Sequence, residues 1–191
     1  MVILDGTLSS LEPGHIGNAG LLFELLRETG VHANRRLYYE PGMQWEGWLR
    51  GLSLIEGRGV SPQIRRAYGW LASGYRAGDR IFLFGYSRGA YAVRSLAGVI
   101  DRVGLLRREH ATERAVTLAW RHYERAPHGP AAQAFSRRFC HLEAPIEMVG
   151  VWDTVKALGL RLPLLWMLSE DRHAFHSHHL GASIRHGFHA L

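Results

Sequence analysis

This sequence predicts an α/β fold, a three-layer sandwich with helices packed on both sides of a mostly parallel central sheet. Three observations lead there. Short apolar runs at 2–4, 36–39, 80–84 and 146–151 alternate with longer segments of helical period, the order expected of strand–helix–strand units. The run Ile81-Phe82-Leu83-Phe84 holds consecutive apolar residues, as a strand covered on both faces requires. Asp5, Ser87 and Asp153 each follow closely on such a run, and sites in open α/β sheets lie beyond the carboxyl ends of the strands.

The elements follow in order. Val2-Ile3-Leu4 reads as a buried strand that ends at the turn Asp5-Gly6-Thr7. Residues 8–16, with Pro13 and Gly14, read as loop. Asn18 is placed to cap a helix over 19–29, with Leu21, Leu22, Leu25 and Leu26 as its apolar face and Gly30 as its stop. A second strand covers 36–39, and Pro41-Gly42 ends it. Residues 42–60 are rich in glycine and carry Trp45 and Trp48, so they read as an irregular loop whose indoles either pack or form a membrane-contact or lid element. Ser61 and Pro62 open a helix to about Tyr75 that buries Ile64, Ala67, Tyr68 and Leu71. After the strand at 80–84, helices are expected over 88–103, 112–125 and 131–139, then a strand over 146–151. The tail holds the apolar stretch Leu162–Leu168 and six histidines, His173, His176, His178, His179, His186 and His189.

Composition narrows the class of function. At 191 residues the chain suits one domain, with 47% hydrophobic and 21% charged residues in an ordinary globular balance. Lys+Arg number 23 against 17 Asp+Glu, a net charge of +6, and Lys156 is the only lysine. The arginines are scattered as pairs along the sequence, which argues against a nucleic-acid patch and fits a solvated basic surface or attraction to anionic headgroups. Cys140 is the only cysteine, which excludes an internal disulfide framework and a multi-cysteine zinc site. The tail histidines lack a companion carboxylate pair at metal-ligand spacing, so no metal and no cofactor is expected. No apolar stretch is long enough to cross a bilayer, and no signal peptide is visible. The expected location is the cytoplasm, or delivery by a secretion system that needs no signal peptide.

The chemistry centres on Gly85-Tyr86-Ser87-Arg88-Gly89, a G-x-S-x-G pattern between a strand run and a helical segment. In that setting the serine sits on a tight strand-to-helix turn, and side chains two residues to either side would collide with backbone. Both outer positions therefore call for glycine. A serine hydroxyl needs a base and an acid to orient it. Asp153, following the strand at 146–151, is the natural acid, and the base is one of the histidines beyond it; spacing alone does not choose among the six. An oxyanion would be met by the backbone N–H of Arg88 and by that of Gly6 or Thr7 at the end of the first strand. The Arg88 side chain is placed to meet an anionic headgroup or to form a salt bridge at the sheet end; Arg94 lies six residues on, off its face.

Residues 79–98 resemble an uncharacterised α/β-hydrolase domain family that includes the catalytic domains of type VI secretion phospholipase effectors. The resemblance extends to Asp5-Gly6-Thr7, to Tyr38-Tyr39-Glu40-Pro41-Gly42, to Gly150-Val151-Trp152-Asp153-Thr154-Val155 and to His189-Ala190-Leu191. It implies an α/β-hydrolase-like fold, Ser87 as nucleophile, Asp153 as acid and His189 as base, acting on a lipid ester such as a phospholipid acyl ester. With His189 as base, 1–191 is expected to be a single catalytic domain in minimal or C-terminally truncated form. Two other readings compete: a carboxylesterase or thioesterase with a soluble substrate, and an inert hydrolase-like module that binds a membrane or a partner.

Overall fold

The computed structural model of the chain describes residues 1–6, 9–42, 60–152 and 181–190. Among the described residues five strands form one parallel sheet: β1 (Val2–Leu4), β2 (Tyr38–Glu40), β3 (Ile81–Tyr86), β4 (Ile146–Trp152) and β5 (Ile184–Ala190). Their order across the sheet is β2-β1-β3-β4-β5, and every neighbouring pair is parallel. The described helices are α1 (Asn18–Glu28), α2 (Val60–Gly74), α3 (Arg88–Arg102), α4 (Glu113–Arg125) and α5 (Pro130–Phe139).

That order dictates where the helices go. The chain leaves β1 in one direction to make β2, then returns past β1 to make β3 and continues to β4. With right-handed crossovers, α1 falls on one face of the sheet and α2 and α3 on the other. The packing agrees: α1 lies against β1 and β3, while α2, α3 and α4 pack on one another and α3 covers β1, β3 and β4. The direction of winding reverses between β1 and β3, so the crevice beyond their carboxyl ends is where an α/β sheet places a ligand. Gly6 and Ser87 stand there.

The main core lies on the α3 side, where Val2, Leu4, Leu83 and Val149 meet Leu96 and Val93, all nearly or fully buried. The expected α2 face is the observed one, with Ile64, Ala67, Tyr68 and Leu71 buried, although the helix begins at Val60 and takes Ser61 inside it. The Tyr68 hydroxyl donates to Gly104 O at 2.8 Å and accepts from Leu106 N–H at 3.0 Å. It thereby satisfies two backbone groups just where α3 ends at Gly104, whose φ of +101° needs glycine. At α4 the Thr112 side chain accepts from Ala115 N–H, an N-cap in the usual sense.

Four expectations need correction. Helix α1 is capped at Gly17, which has no side chain to offer, and not at Asn18. Its buried residues are Ala19 and Gly20, whereas Leu21 and Leu25 are about half exposed, because small residues let the helix start approach Asp5 and the end of β1. Strand β3 is buried in alternation, with Phe82 and Phe84 half-covered on the α1 side, so its apolar run is not enclosed equally on both faces. Strand β5, carrying His186 and His189, falls in a stretch expected only as a histidine-rich tail; it is mostly exposed, and its polar residues hide the strand period. Residues 43–59, with Trp45 and Trp48, and the segment 153–180, with Leu162–Leu168 and His173, His176, His178 and His179, lie outside the described residues.

Candidate active site

Strand β3 runs two residues beyond its apolar core, through Gly85 and Tyr86, and the chain turns into α3 at Ser87. Ser87 has φ 52° and ψ −116°, and it is the only non-glycine residue with positive φ among the described residues. Such a conformation costs on the order of 1–3 kcal/mol and persists only where the surroundings impose it. Here they do. The Ser87 N–H donates to Trp152 O on β4 at 3.0 Å, and the Ser87 carbonyl accepts from Ala90 N–H at 3.0 Å and Tyr91 N–H at 3.3 Å. The serine is thus tied to the neighbouring strand on one side and to the first turn of the helix on the other.

The flanking glycines have steric causes. A Cβ on Gly85 would fall 2.7 Å from Ala90 N and closer still to the Gly89 carbonyl. A Cβ on Gly89 would fall inside the Leu4 carbonyl and 2.8 Å from Asp5 O, so α3 meets the end of β1 backbone to backbone. Gly6 follows the same rule: a Cβ there would stand 2.7 Å from the Tyr86 ring and 3.0 Å from Ser87 Cβ. The turn after β1 therefore lies directly against the serine.

Asp5 holds that turn in place. Its side chain is buried and accepts from Gly6 N–H at 2.8 Å and from the Tyr39 hydroxyl at 2.8 Å. The Gly20 N–H in the first turn of α1 and the Ser9 side chain also bond to it. Asp5 supplies from a strand end the negative charge that Gly17 cannot offer at the helix start. Burial pushes its carboxyl above the ordinary 3.8, and the hydrogen bonds from Gly6, Tyr39, Gly20 and Ser9 pull it down. In the sequence Asp5 reads as a turn residue; its signal was an acid directly after an apolar strand, as at Asp153.

The expected site residues fall into three groups. Gly6, Ser87, Arg88, Gly85 and Gly89 are brought together at the β1/β3 crevice. Thr7 and Asp153 lie outside the described residues. His189 is on β5, in register with Val151, which is in register with Gly85. Two strand spacings, about 10 Å, therefore separate its backbone from β3. It lines a cavity of about 370 Å³ together with Arg94, Asp101, Arg102, Tyr123 and Phe188, among others, and Ser87 is not part of that lining.

Arg88 opens α3, and its N–H is the first of the helix, with no carbonyl one turn earlier to bond. Its guanidinium is half-buried, which lowers its pKa through desolvation, and its Nη1 is buried with no hydrogen-bond partner. The arginines that look scattered in the sequence are partly gathered elsewhere. Arg35, Arg36, Arg76, Arg80 and Arg108 surround a cleft of about 910 Å³ at the start of β3, the opposite end of that strand from Ser87. Among the described residues no group of three or more histidine, cysteine or acidic side chains is arranged to hold a metal ion, and no helix is long and apolar enough to cross a membrane.

Comparison with known proteins bears on this geometry. An uncharacterised protein of Saccharomyces cerevisiae, YEL023C, is 30% identical over 186 residues, covering 84% of this chain. The match takes in 27% of the yeast protein, so the chain spans about a quarter of that relative's length. No solved structure gives a significant match. The profile described as T6SS, phospholipase effector Tle1-like, catalytic domain matches residues 1–191, the whole chain. Matched over its whole length, and with a strained serine at the switch point of a parallel sheet, the chain belongs to the family of T6SS phospholipase effector Tle1-like catalytic domains.

Proposed function

We propose that the protein is a serine hydrolase that cleaves phospholipid acyl esters through Ser87, Asp153 and His189. The observation that carries this reading is the Ser87 backbone, held at φ 52° between β3 and α3 beside the β1 turn. A strained strand-to-helix serine flanked by glycines is the geometry of a nucleophile elbow. Family membership supports a lipid substrate.

In this mechanism the histidine takes the Ser87 proton as Oγ attacks the ester carbonyl. The tetrahedral oxyanion forms at the start of α3, where the Arg88 N–H and the helix dipole favour negative charge. The second donor is the Thr7 N–H; that of Gly6 is held by the Asp5 carboxylate, so Gly6 serves by letting the turn approach. The alcohol leaves with the proton from the imidazolium, which Asp153 orients, and water then releases the acyl group. Service as the base requires the His189 imidazole to reach from β5 toward the end of β3.

A fluorophosphonate probe tests the reading. The wild type should label, and Ser87→Ala should not. Turnover of liposomal phospholipid should fall by a factor on the order of 10⁴ or more in Ser87→Ala and in Asp153→Asn. A comparable loss in His189→Ala but not in His186→Ala would identify the base. Hydrolysis of short soluble esters but not of liposomes would point to a soluble substrate, and a folded wild type that neither labels nor turns over would favour the inert module.

A further inference from the structure

The cleft at the start of β3 gathers five guanidiniums, those of Arg35, Arg36, Arg76, Arg80 and Arg108, around a single carboxylate, that of Asp79. Arg35 has a structural duty, donating to Leu26 O and Gly30 O at the end of α1. Asp79 accepts from Arg76 N–H at 2.9 Å, so it closes the turn between α2 and β3 instead of pairing with a side chain. Elsewhere the chain does pair its arginines: Arg27 with Glu24, Arg66 with Glu40, Arg107 with Glu109 and Arg185 with Glu147. Among the described residues no carboxylate pairs with Arg36, Arg76, Arg80 or Arg108, and all four residues are exposed. The carboxyl end of α2 offsets only about half a charge here. Like charges gathered in one concavity repel one another and focus a positive field into it. Arg36 is also set in place. Its guanidinium lies over the Trp70 ring, 4.5 Å from the centroid, and fills the space left by Gly74, where a Cβ would overlap Nη1. A guanidinium held by its face keeps the N–H donors on its edge for a ligand.

We propose that this cleft is a docking site for an acidic segment of a partner protein, whose carboxylates are held by Arg36, Arg76, Arg80 and Arg108. Charge complementarity calls for an anion, and the surroundings choose its kind. A bilayer does not suit the cleft, which is concave and lies about 20 Å, the length of β3, from Ser87. A membrane seated there would face away from the serine. A compact phosphate does not suit it either. Phosphate sites draw on backbone N–H groups at helix starts, whereas α2 brings its carboxyl end, Gly74, to this cleft. Carboxylates spaced along a peptide can meet the guanidiniums one to one, in bidentate pairs. Trp70 and Phe82, half-buried in the same wall, add apolar contact, and aromatic side chains with arginine are the usual anchors of protein interfaces. The inference does not depend on the hydrolase reading, and a partner docked here leaves the Ser87 end of the sheet open.

The test uses the whole chain and a short fluorescent peptide alternating Glu with Leu, with binding followed by anisotropy at physiological ionic strength. Two double variants remove the same charge. Arg76→Gln with Arg80→Gln changes the cleft; Arg114→Gln with Arg121→Gln changes exposed residues of α4 that do not line it. The cleft pair should weaken peptide binding by roughly tenfold or more, the weight of lost charge-assisted contacts. The α4 pair should change it by no more than about twofold, since salt screens charges that do not touch the ligand. Arg36→Met, which keeps an apolar chain against Trp70, should weaken binding by roughly tenfold on its own. Circular dichroism melts show whether each variant is folded, and a loss in folded Arg36→Met supports the site even if the double variant is not. Equal weakening by the cleft and α4 pairs, or no binding of the peptide to wild type, overturns the inference and leaves a solvated basic face. Tripolyphosphate, a single-stranded oligonucleotide and phosphatidylglycerol vesicles are tested beside the peptide. Cleft-dependent binding of any of these more tightly than the peptide overturns the assignment to an acidic protein segment.

Discussion

Replacing Asp5 tests whether one buried carboxylate joins β1, β2 and α1 behind the site. In Asp5→Ala the donors at Gly6 N, Gly20 N, Ser9 and Tyr39 lose their shared acceptor. Each buried donor left unsatisfied costs about 1–3 kcal/mol. The lower bound for three of them, with about 0.5 kcal/mol for the helix dipole, gives about 3–4 kcal/mol. For a chain of this size that is a fall in Tm of about 10 °C. Asp5→Asn keeps one acceptor oxygen but turns an amide toward donors, so it should lose about half as much. The pH dependence has a definite sign. Burial raises the folded-state pKa of Asp5 above the unfolded value, so the folded state holds the proton more tightly. The stability Asp5 contributes through this difference is full below the unfolded pKa near 3.8 and is lost as pH rises through the folded value. The deficit of Asp5→Asn, which does not titrate there, should therefore narrow as pH rises across that window. Urea unfolding followed by circular dichroism over a pH series measures both effects. A cost for Asp5→Ala below 1 kcal/mol, or a deficit that widens with pH, would refute the reasoning.

Other changes follow from the same geometry. Ser87→Gly relieves the φ 52° strain and should raise Tm by about 2–4 °C while abolishing probe labelling, a gain of about 1 kcal/mol after glycine's own entropy cost; an unchanged or lower Tm would show that no strain is held there. Gly89→Ala drives a methyl into the Leu4 carbonyl and should cost about 3 kcal/mol or more. Its control is Gly69→Ala in α2, where the methyl would meet Val116 at an ordinary 3.6 Å and should be neutral or slightly stabilising in the same melts. Cys140 is buried, and burial pushes its thiol to about 11, so a thiol reagent at pH 8 should leave it unmodified in native protein and react with one equivalent in urea.

The parallel sheet was legible because four of its strands carry apolar runs and helical segments separate most of them. The Ser87 turn was legible because its glycines answer to backbone contacts that any chain making this turn must respect. What escaped reading depended on partners far away in sequence. The burial of Asp5 and the cap it gives α1 need Tyr39 and Gly20, which only the fold brings near. The exposure of Leu21 and Leu25 halves the expected face, leaving Leu22 and Leu26 partly buried, because the start of α1 docks through the small residues Ala19 and Gly20. Strand β5 has the right geometry but little of the apolar alternation that marks a strand, since a mostly exposed strand need not bury a side. The basic cleft is assembled from five arginines spread over residues 35–108, which is why the pairs looked unrelated.

The backbone contact between Gly89 and Leu4 also gives a way to read other chains of this family. Gly85 and Gly89 answer to packing, whereas Ser87, in the role proposed for it, answers to chemistry, so the two demands can be lost separately. A relative that keeps both glycines but replaces the serine should still fold and has given up the reaction while keeping the scaffold. A relative that keeps the serine but carries a side chain at the position of Gly89 must have moved its first strand away from the following helix. Such a chain has been rebuilt at the hinge of the sheet, and its serine no longer vouches for this chemistry.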